Sequence, residues 1–159
     1  MWPRRPFRQH QVGEENKALL QTIVESGTVP SLLAYVEGVP AGWCSIGPRP
    51  DYVRFFDEHA GREIWLIACL FIAKSHRGQW VGSALIDAAV RRAAQHGARS
   101  IEALPRGWRP DDDPTTIDAI RRMFRRAGFT NHVDATAPAR VHKDLSLSQS
   151  PVDGAPRLP

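Results

Sequence analysis

The sequence predicts an α/β fold in which a mixed, mostly antiparallel central sheet is flanked by helices. A near-continuous apolar run at 63–73 suits a strand covered on both faces. Helical periodicity follows at 81–95 and again at 115–127, with shorter apolar runs typical of strands on either side. The 159 residues suit one domain, placed at 1–145, and the Ser-, Pro- and Gly-rich tail 146–159 is expected to be disordered.

The first part of the chain predicts a helix and a hairpin. Residues 13–26 carry apolar side chains on one side of a helix. Residues 31–36 and 41–46 predict two strands joined by a turn at 37–40. The two prolines of 47–50 predict the end of the second strand, because proline cannot donate a hydrogen bond to a ladder.

The second part of the chain alternates helices and strands around the central run. A helix at 81–95 is followed by a short strand at 101–104 and a helix at 115–127. Residues 129–133 and 139–145 predict two closing strands. The order is therefore helix, hairpin, central strand, helix, strand, helix and two strands, which is typical of an α/β layer protein with a mixed sheet.

Charge and composition exclude several classes of protein. The net charge is +4, but the arginines are spread along the chain and recur within helical patterns, which favours solvated faces over a nucleic-acid surface. No apolar stretch approaches the ~20 residues that span a bilayer, and no signal core follows the basic N-terminus. Cys44 and Cys69 lie in apolar runs, as small core residues do, so we expect no disulfide and no metal site. A cytoplasmic location follows as the expectation.

The junction between the apolar run and the next helix is the most informative segment for function. It reads Arg77-Gly78-Gln79-Trp80-Val81-Gly82. Unpaired amides and the helix dipole converge at a helix N-terminus, and Arg77 adds a formal positive charge, so the segment predicts a phosphate site. It is not a Walker loop, which ends in Gly-Lys-Ser/Thr, and it is not the dinucleotide fingerprint.

Four segments, in this order along the chain, resemble the GNAT superfamily of N-acetyltransferases. They are the hairpin around Gly42-Trp43, the strand end Leu70-Phe71-Ile72, the loop 77–82 and the helix end 123–129, which finishes in Gly-Phe. The resemblance covers roughly residues 32–145. It implies the GNAT acyltransferase fold and an enzyme that moves an acetyl group from acetyl-coenzyme A to a primary amine, without a metal.

The resemblance also assigns roles to individual residues. The strand end would hydrogen-bond the pantetheine arm of the cofactor through its backbone, and the Leu70 amide would polarise the thioester carbonyl. The cofactor-binding residues that it implies are Leu70, Phe71, Ile72, Arg77, Gly78, Gln79, Trp80, Val81, Gly82 and Ser83. Replacing Gly82 with a bulky β-branched residue is expected to abolish coenzyme A binding and to leave the fold largely intact.

The candidate catalytic base is Glu102, because an ammonium group must lose a proton before it attacks. In a strand, Ile101 and Ala103 would point one way and Glu102 the other. A structural or exposed role for Glu102 is the alternative. Glu63 lies near the start of the central strand, far from the reacting centre, and His76 suits a solvent or phosphate contact.

Two positions depart from the pattern of the family. Trp80 stands where the family usually has glycine, and its ring would either contact the ligand or pack on the adjacent helix. Phe124 stands where many relatives have a proton-donating tyrosine, and Ile117 replaces an asparagine. Phenylalanine cannot donate a proton. A catalytically weak or inactive acyl-coenzyme A-binding regulatory module of the same fold therefore stays open as an alternative.

The N-terminal segment and the acceptor leave further alternatives. The short stretch 1–12 either replaces the first strand of the family or leaves a sheet edge open, and an open edge would invite a homodimer. The aspartates of 111–113 would attract a cationic acceptor or are only solvated. A small antibiotic, a polyamine and a protein amino-terminus are all compatible acceptors.

Overall fold

The computed structural model describes residues 13–26, 31–52, 61–105, 114–131 and 140–145. Three segments named above lie outside these described residues: the N-terminal stretch 1–12, the aspartate run 111–113 and the tail 146–159.

The described residues form three α-helices and six strands in one mixed sheet. The elements are α1 Gly13–Glu25, β1 Ser31–Val36, β2 Val39–Pro48, β3 Ile64–Ile72, α2 Val81–Gln95, β4 Ser100–Ala103, α3 Pro114–Arg126, β5 Thr130–Asn131 and β6 Val141–Asp144. The strand order is β1-β2-β3-β4-β6-β5, with β3 and β4 parallel and every other pair antiparallel. The predicted fold class and element order are confirmed, and β3 lies inside the sheet as expected.

The first hairpin is tighter than predicted. Glu37 and Gly38 both have positive φ, at 51° and 79°, which matches a two-residue type I′ turn. The second strand consequently starts at Val39 and continues to Pro48, so the predicted strand end at 46 is wrong. Pro40 and Pro48 lie near the two ends of β2, where the loss of a backbone donor disturbs the ladder least.

The core lies between one face of the sheet and helices α2 and α3. The row Leu32, Cys44 and Leu70 points to this core face, whereas the neighbouring row Leu33, Trp43 and Phe71 points to the other, which we call the far face. The buried side chains of this core include Cys44, Ile46 and Ile101 from the sheet and Ile86 and Ala89 from α2. This packing fixes α2 against the sheet and so sets the position of its N-terminus.

The two cysteines differ in burial and should differ in reactivity. Burial raises the pKa of the Cys44 thiol to about 12, and burial also raises the pKa of Cys69 on the far face. We expect iodoacetamide at pH 8 to modify Cys69 first and Cys44 only when the protein unfolds, which peptide mass spectrometry would show.

Because the Cys44 thiol ionises at lower pH in the unfolded chain than in the folded protein, its contribution to the free energy of unfolding should fall as pH rises from 9 towards 12. Equal modification rates, or equal pH slopes for the wild type and Cys44→Ala, would contradict this.

Candidate active site

The central strand β3 parts from β4 halfway along its length. The two strands pair only as far as Ile67 opposite Ala103. Between Ser45 and Ile46, β2 advances by one residue while β3 advances by two, so Ala68 is an extra residue in β3. A bulge of this kind bends the strand that carries it. The second half of β3 therefore diverges from β4, and its edge at residues 68–72 has no strand partner among the described residues; we call it the open edge.

Backbone groups of Leu70 and Ile72 point to this open edge. The amide of Ala73 donates to the carbonyl of Ala41 on β2 at 2.9 Å, and backbone direction alternates along a strand. Leu70 and Ile72 therefore direct their N–H and C=O groups away from β2. The Arg77 Nε atom donates to the Ile72 carbonyl at 3.3 Å, in agreement with that direction. The amide and carbonyl of Phe71 point back to β2, so of the three predicted strand residues only two offer backbone groups to a ligand here.

The open edge leads to the N-terminus of α2. The first helical hydrogen bond is from the Ala84 amide to the Trp80 carbonyl at 3.0 Å, so the amides of residues 81–83 have no partner within the helix. The side chain of Trp80, the N-cap residue, makes no capping hydrogen bond to these amides. Gly78 has φ of 77° and open space where a Cβ would lie. With Arg77 adjacent, this arrangement of amides, helix dipole and positive charge is suited to an anion.

Trp80 adopts a backbone conformation that glycine takes most easily. Its φ and ψ are 64° and 0°, which is the left-handed conformation and not the right-handed helical one. Such a conformation costs about 1–2 kcal/mol for a residue other than glycine. Trp80 is 70% exposed, and the guanidinium of Arg126 lies 6.0 Å from the centroid of its ring. Arg126, which local sequence patterns did not single out, thus brings a second positive charge close to the loop.

Gly82 serves the packing of α2 against α3. A Cβ at this position would lie 2.8 Å from the Met123 sulfur and 3.7 Å from Ile72 Cδ1. A bulky residue would therefore displace the flexible end of the Met123 side chain, and the expectation that such a substitution leaves the fold largely intact stays a prediction. The amide of Gly82 belongs to the first turn of α2, whose amides have no partner within the helix.

Glu102 is buried within a cluster of charges on the far face. It is 5% exposed, and Ile101 and Ala103 point to the core as expected. Its Oε1 atom lies 3.6 Å from Arg49 Nη1, and its Oε2 atom lies 3.4 Å from Arg140 Nη1. These partners are 53 and 38 residues away in the chain, so no local pattern could indicate them.

The strand register separates Glu102 from the open edge. Glu102 lies opposite Leu66, and Leu70 follows four residues later along β3. Because Ala68 is an extra residue, the same span covers only three residues of β2, from Gly47 to Cys44, and at ~3.3 Å per residue it is about 10 Å long. A base must be within hydrogen-bond reach of its proton or connected to it through water. The role of Glu102 as a base stays a prediction, and it requires a water-mediated path.

Phe124 is part of the core. It is 2% exposed, and its ring meets that of Phe129 edge to face, with centroids 5.1 Å apart and an interplanar angle of 77°. The pair joins the end of α3 to the sheet. A phenol that sequence reasoning missed lies on the far face: the Tyr52 hydroxyl is 3.1 Å from Ser45 Oγ, and burial raises the pKa of Tyr52.

Comparison with known proteins identifies the class to which this fold and site belong. The sequence pattern of the Acetyltransferase (GNAT) family matches residues 2–129. The chain therefore belongs to the GNAT acetyltransferase family, and the resemblance noted in the sequence is confirmed. A sequence comparison with curated proteins finds no match.

Solved structures show the same fold at low sequence identity. A putative acetyltransferase of Salmonella typhimurium, solved with acetyl-CoA, has a TM-score of 0.60 and 18% identity, covering 94% of this chain and 83% of its own. Ribosomal-protein-alanine N-acetyltransferase from Brucella melitensis gives 0.59 and 20%, covering 88% and 83%. A phosphinothricin acetyltransferase from Sinorhizobium meliloti, in complex with acetyl-CoA, gives 0.59 and 17%, covering 88% and 74%.

The described residues contain neither a metal-binding cluster nor a membrane-spanning helix. Among them, no three His, Cys, Asp or Glu side chains are grouped so that they could hold a metal ion. In the same part of the chain, no helix combines the length and the apolar character needed to cross a membrane.

Proposed function

We propose that this protein transfers an acetyl group from acetyl-coenzyme A to a primary amine. The observation that carries the proposal is the bulge at Ala68, which turns the second half of β3 away from β4. The resulting strand edge runs to the N-terminus of α2, where the first amides have no partner within the helix. A long ligand with an anionic middle and an amide-containing arm fits this path, because the anion meets backbone amides and the arm meets the edge of a strand.

The described residues fit coenzyme A along this path. The pyrophosphate would accept hydrogen bonds from the amides of Val81, Gly82 and Ser83, with Arg77 close by. Gly78, Gln79 and Trp80 form the turn around it. The pantetheine arm would run along the open edge, where Leu70 and Ile72 present amides and carbonyls. Arg77 would have to share or release the Ile72 carbonyl as the arm binds.

Catalysis in this proposal rests on positioning and on one backbone donor. The Leu70 amide would donate to the thioester carbonyl oxygen as negative charge develops there. The amine nitrogen attacks the carbonyl carbon, the carbon–sulfur bond breaks, and the thiolate leaves. The amine proton goes to water, either directly or on a path to Glu102, and water protonates the thiolate because Phe124 has no hydroxyl.

A thiol-release assay tests the proposal. Acetyl-coenzyme A is incubated with the protein and a panel of amines, and free thiol is followed together with the mass of the acetylated product. Amine-dependent release of thiol is expected. Binding of coenzyme A without transfer to any amine would instead favour the regulatory module, the second candidate, which the buried Phe124 supports.

The position of the pyrophosphate can be tested at Gly78. Asparagine and aspartate have the same shape and tolerate left-handed backbone, so Gly78→Asn and Gly78→Asp differ mainly in charge. We expect calorimetry to give similar coenzyme A affinities for the wild type and Gly78→Asn. Gly78→Asp should bind about 10- to 100-fold more weakly, because a carboxylate would face the phosphates in a partly screened site. Equal affinities for both variants would mean that the anion binds elsewhere.

We also propose a homodimer and a cytoplasmic location. β1 is an edge strand of the sheet, and its outer edge has no partner among the described residues. Such an edge is able to pair with a second copy. Light scattering that gives a monomeric mass over a wide concentration range would exclude the dimer.

The proposed cytoplasmic location agrees with the two cysteines, which form no disulfide, as is usual in a reducing compartment.

A further inference from the structure

The far face of the sheet carries an exposed apolar band beside the open edge of β3. Leu33, Trp43 and Phe71 are directly opposed across β1, β2 and β3. Leu33 and Phe71 are 58% and 54% exposed, and Tyr35, two residues along β1 on the same face, is 58% exposed. At ~4.8 Å between neighbouring strands, the three opposed side chains span about 10 Å. We call these four residues the apolar band.

The apolar band is next to the place where acetyl transfer is proposed. Phe71 lies between Leu70 and Ile72, the two residues whose amides point to the open edge. The side chains of Leu70 and Ile72 pack on the core face, with Ile72 close to Gly82 of α2. An amine that reaches the Leu70 amide without displacing that core therefore approaches over the far face, where Phe71 is exposed.

The size of the apolar band favours a small molecule over a second copy of the chain. Four side chains that are at most about half exposed, and that bury 150–250 Å² each when fully covered, offer no more than about 300–500 Å² in total. A stable dimer buries about 800 Å² on each partner. The band thus has the dimensions of one aromatic ring with an alkyl arm.

Charge on the same face disfavours a polycationic acceptor. The turn at 49–52 lies over this face, since Tyr52 reaches Ser45 and Arg49 reaches Glu102. The Asp51 carboxylate is bound by Arg62, with oxygen–nitrogen distances of 3.0 and 3.3 Å. Glu102 is bound by two arginines. Two carboxylates on this face, Asp51 and Glu102, are thus already in ion pairs; Asp144, opposite Ser100 on the same face, lies farther from the open edge.

We infer that the acceptor is a primary amine attached to an aromatic or branched aliphatic group, and that this group binds on the apolar band. The inference rests on the proposed acetyl transfer and specifies the class of its acceptor. The apolar group would lie over Trp43 and Phe71, and its alkyl arm would carry the amine to the open edge beside Leu70.

Matched amines and matched variants test the inference. The kcat/KM of the full chain is measured with 2-phenylethylamine, ethylamine and spermidine, and coenzyme A affinity is measured separately by calorimetry. We expect 2-phenylethylamine to exceed ethylamine and spermidine by at least about tenfold, since a buried ring contributes several methylene equivalents of transfer free energy. Trp43→Ala and Leu33→Ser should each lower kcat/KM for 2-phenylethylamine by about 5- to 10-fold, with ethylamine turnover and coenzyme A affinity little changed. Val24→Ala, on the 53% exposed Val24 of α1, is the control for loss of a surface apolar side chain.

The outcomes separate this inference from the function on which it rests. Equal or better turnover of ethylamine or spermidine overturns the inference and leaves acetyl transfer standing. A preference for 2-phenylethylamine that survives both substitutions also overturns the inference. A dimer in light scattering that Leu33→Ser converts to a monomer overturns it as well, because the apolar band would then be a dimer interface. Failure of all three amines while coenzyme A binds overturns the proposed function, and the inference falls with it.

Discussion

Glu102→Ala should lower the free energy of unfolding by about 3 kcal/mol, because removing one partner of a buried ion pair leaves the other charge uncompensated. The Glu102 side chain is 7% exposed, and those of Arg49 and Arg140 are 17% and 12% exposed. Both arginines also make other contacts, so the loss belongs at the lower end of the usual 3–5 kcal/mol for such a deletion. Urea denaturation measures the loss directly, and a drop of about 6–12 °C in Tm should accompany it.

Two further variants isolate the charge from the packing. Glu102→Gln keeps the shape and one hydrogen-bond acceptor, so its loss should be smaller than that of Glu102→Ala. Replacing Glu102 with leucine and both arginines with methionine removes all three charges at once, and it should recover most of the lost stability. A triple variant less stable than Glu102→Ala would contradict the idea that uncompensated charge causes the loss.

The variant Glu102→Gln also tests whether Glu102 is the catalytic base. If Glu102 accepts a proton through water, Glu102→Gln should lose most of its kcat/KM. If Glu102 acts only as the ion-pair partner of Arg49 and Arg140, Glu102→Gln should keep most of its kcat/KM and lose only stability. The distance of about 10 Å between Glu102 and Leu70 along the strands favours the second result.

The sequence predicted the elements whose patterns are local and strong. Helix α2 was predicted with its observed bounds, because its buried positions Leu85, Ile86, Ala89 and Ala93 recur at helical spacing. β3 was predicted as a central strand because its run is apolar on both faces. The end of β2 was misplaced, because proline rules describe strand interiors and Pro48 lies at a strand end.

The parts of the site that depend on register or on distant contacts could not be predicted in this way. The bulge at Ala68 appears only when β2 and β3 are aligned residue by residue. The apolar band of Leu33, Tyr35, Trp43 and Phe71 likewise requires the pairing of three strands. The closeness of Gly82 to Met123 depends on how α3 crosses α2. Gly82, which the sequence pattern assigns to phosphate binding, therefore also lies where these two helices pack together.

Leu70→Pro should lower kcat for acetyl transfer by about 10²- to 10³-fold, which is the usual effect of removing one backbone donor to a developing oxyanion. Proline has no amide hydrogen, and the Leu70 amide points to the open edge, so no hydrogen bond of the β2–β3 ladder is lost. Leu70→Ala is the matched control, because it removes the same side chain from the core and keeps the amide. We expect similar losses of Tm in the two variants but near wild-type kcat in Leu70→Ala alone. Equal kcat in both variants would mean that neither the oxyanion donor nor the reacting carbonyl lies at β3. A large loss confined to Leu70→Pro would mean that the diverging half of β3 takes part in catalysis as well as in binding the cofactor.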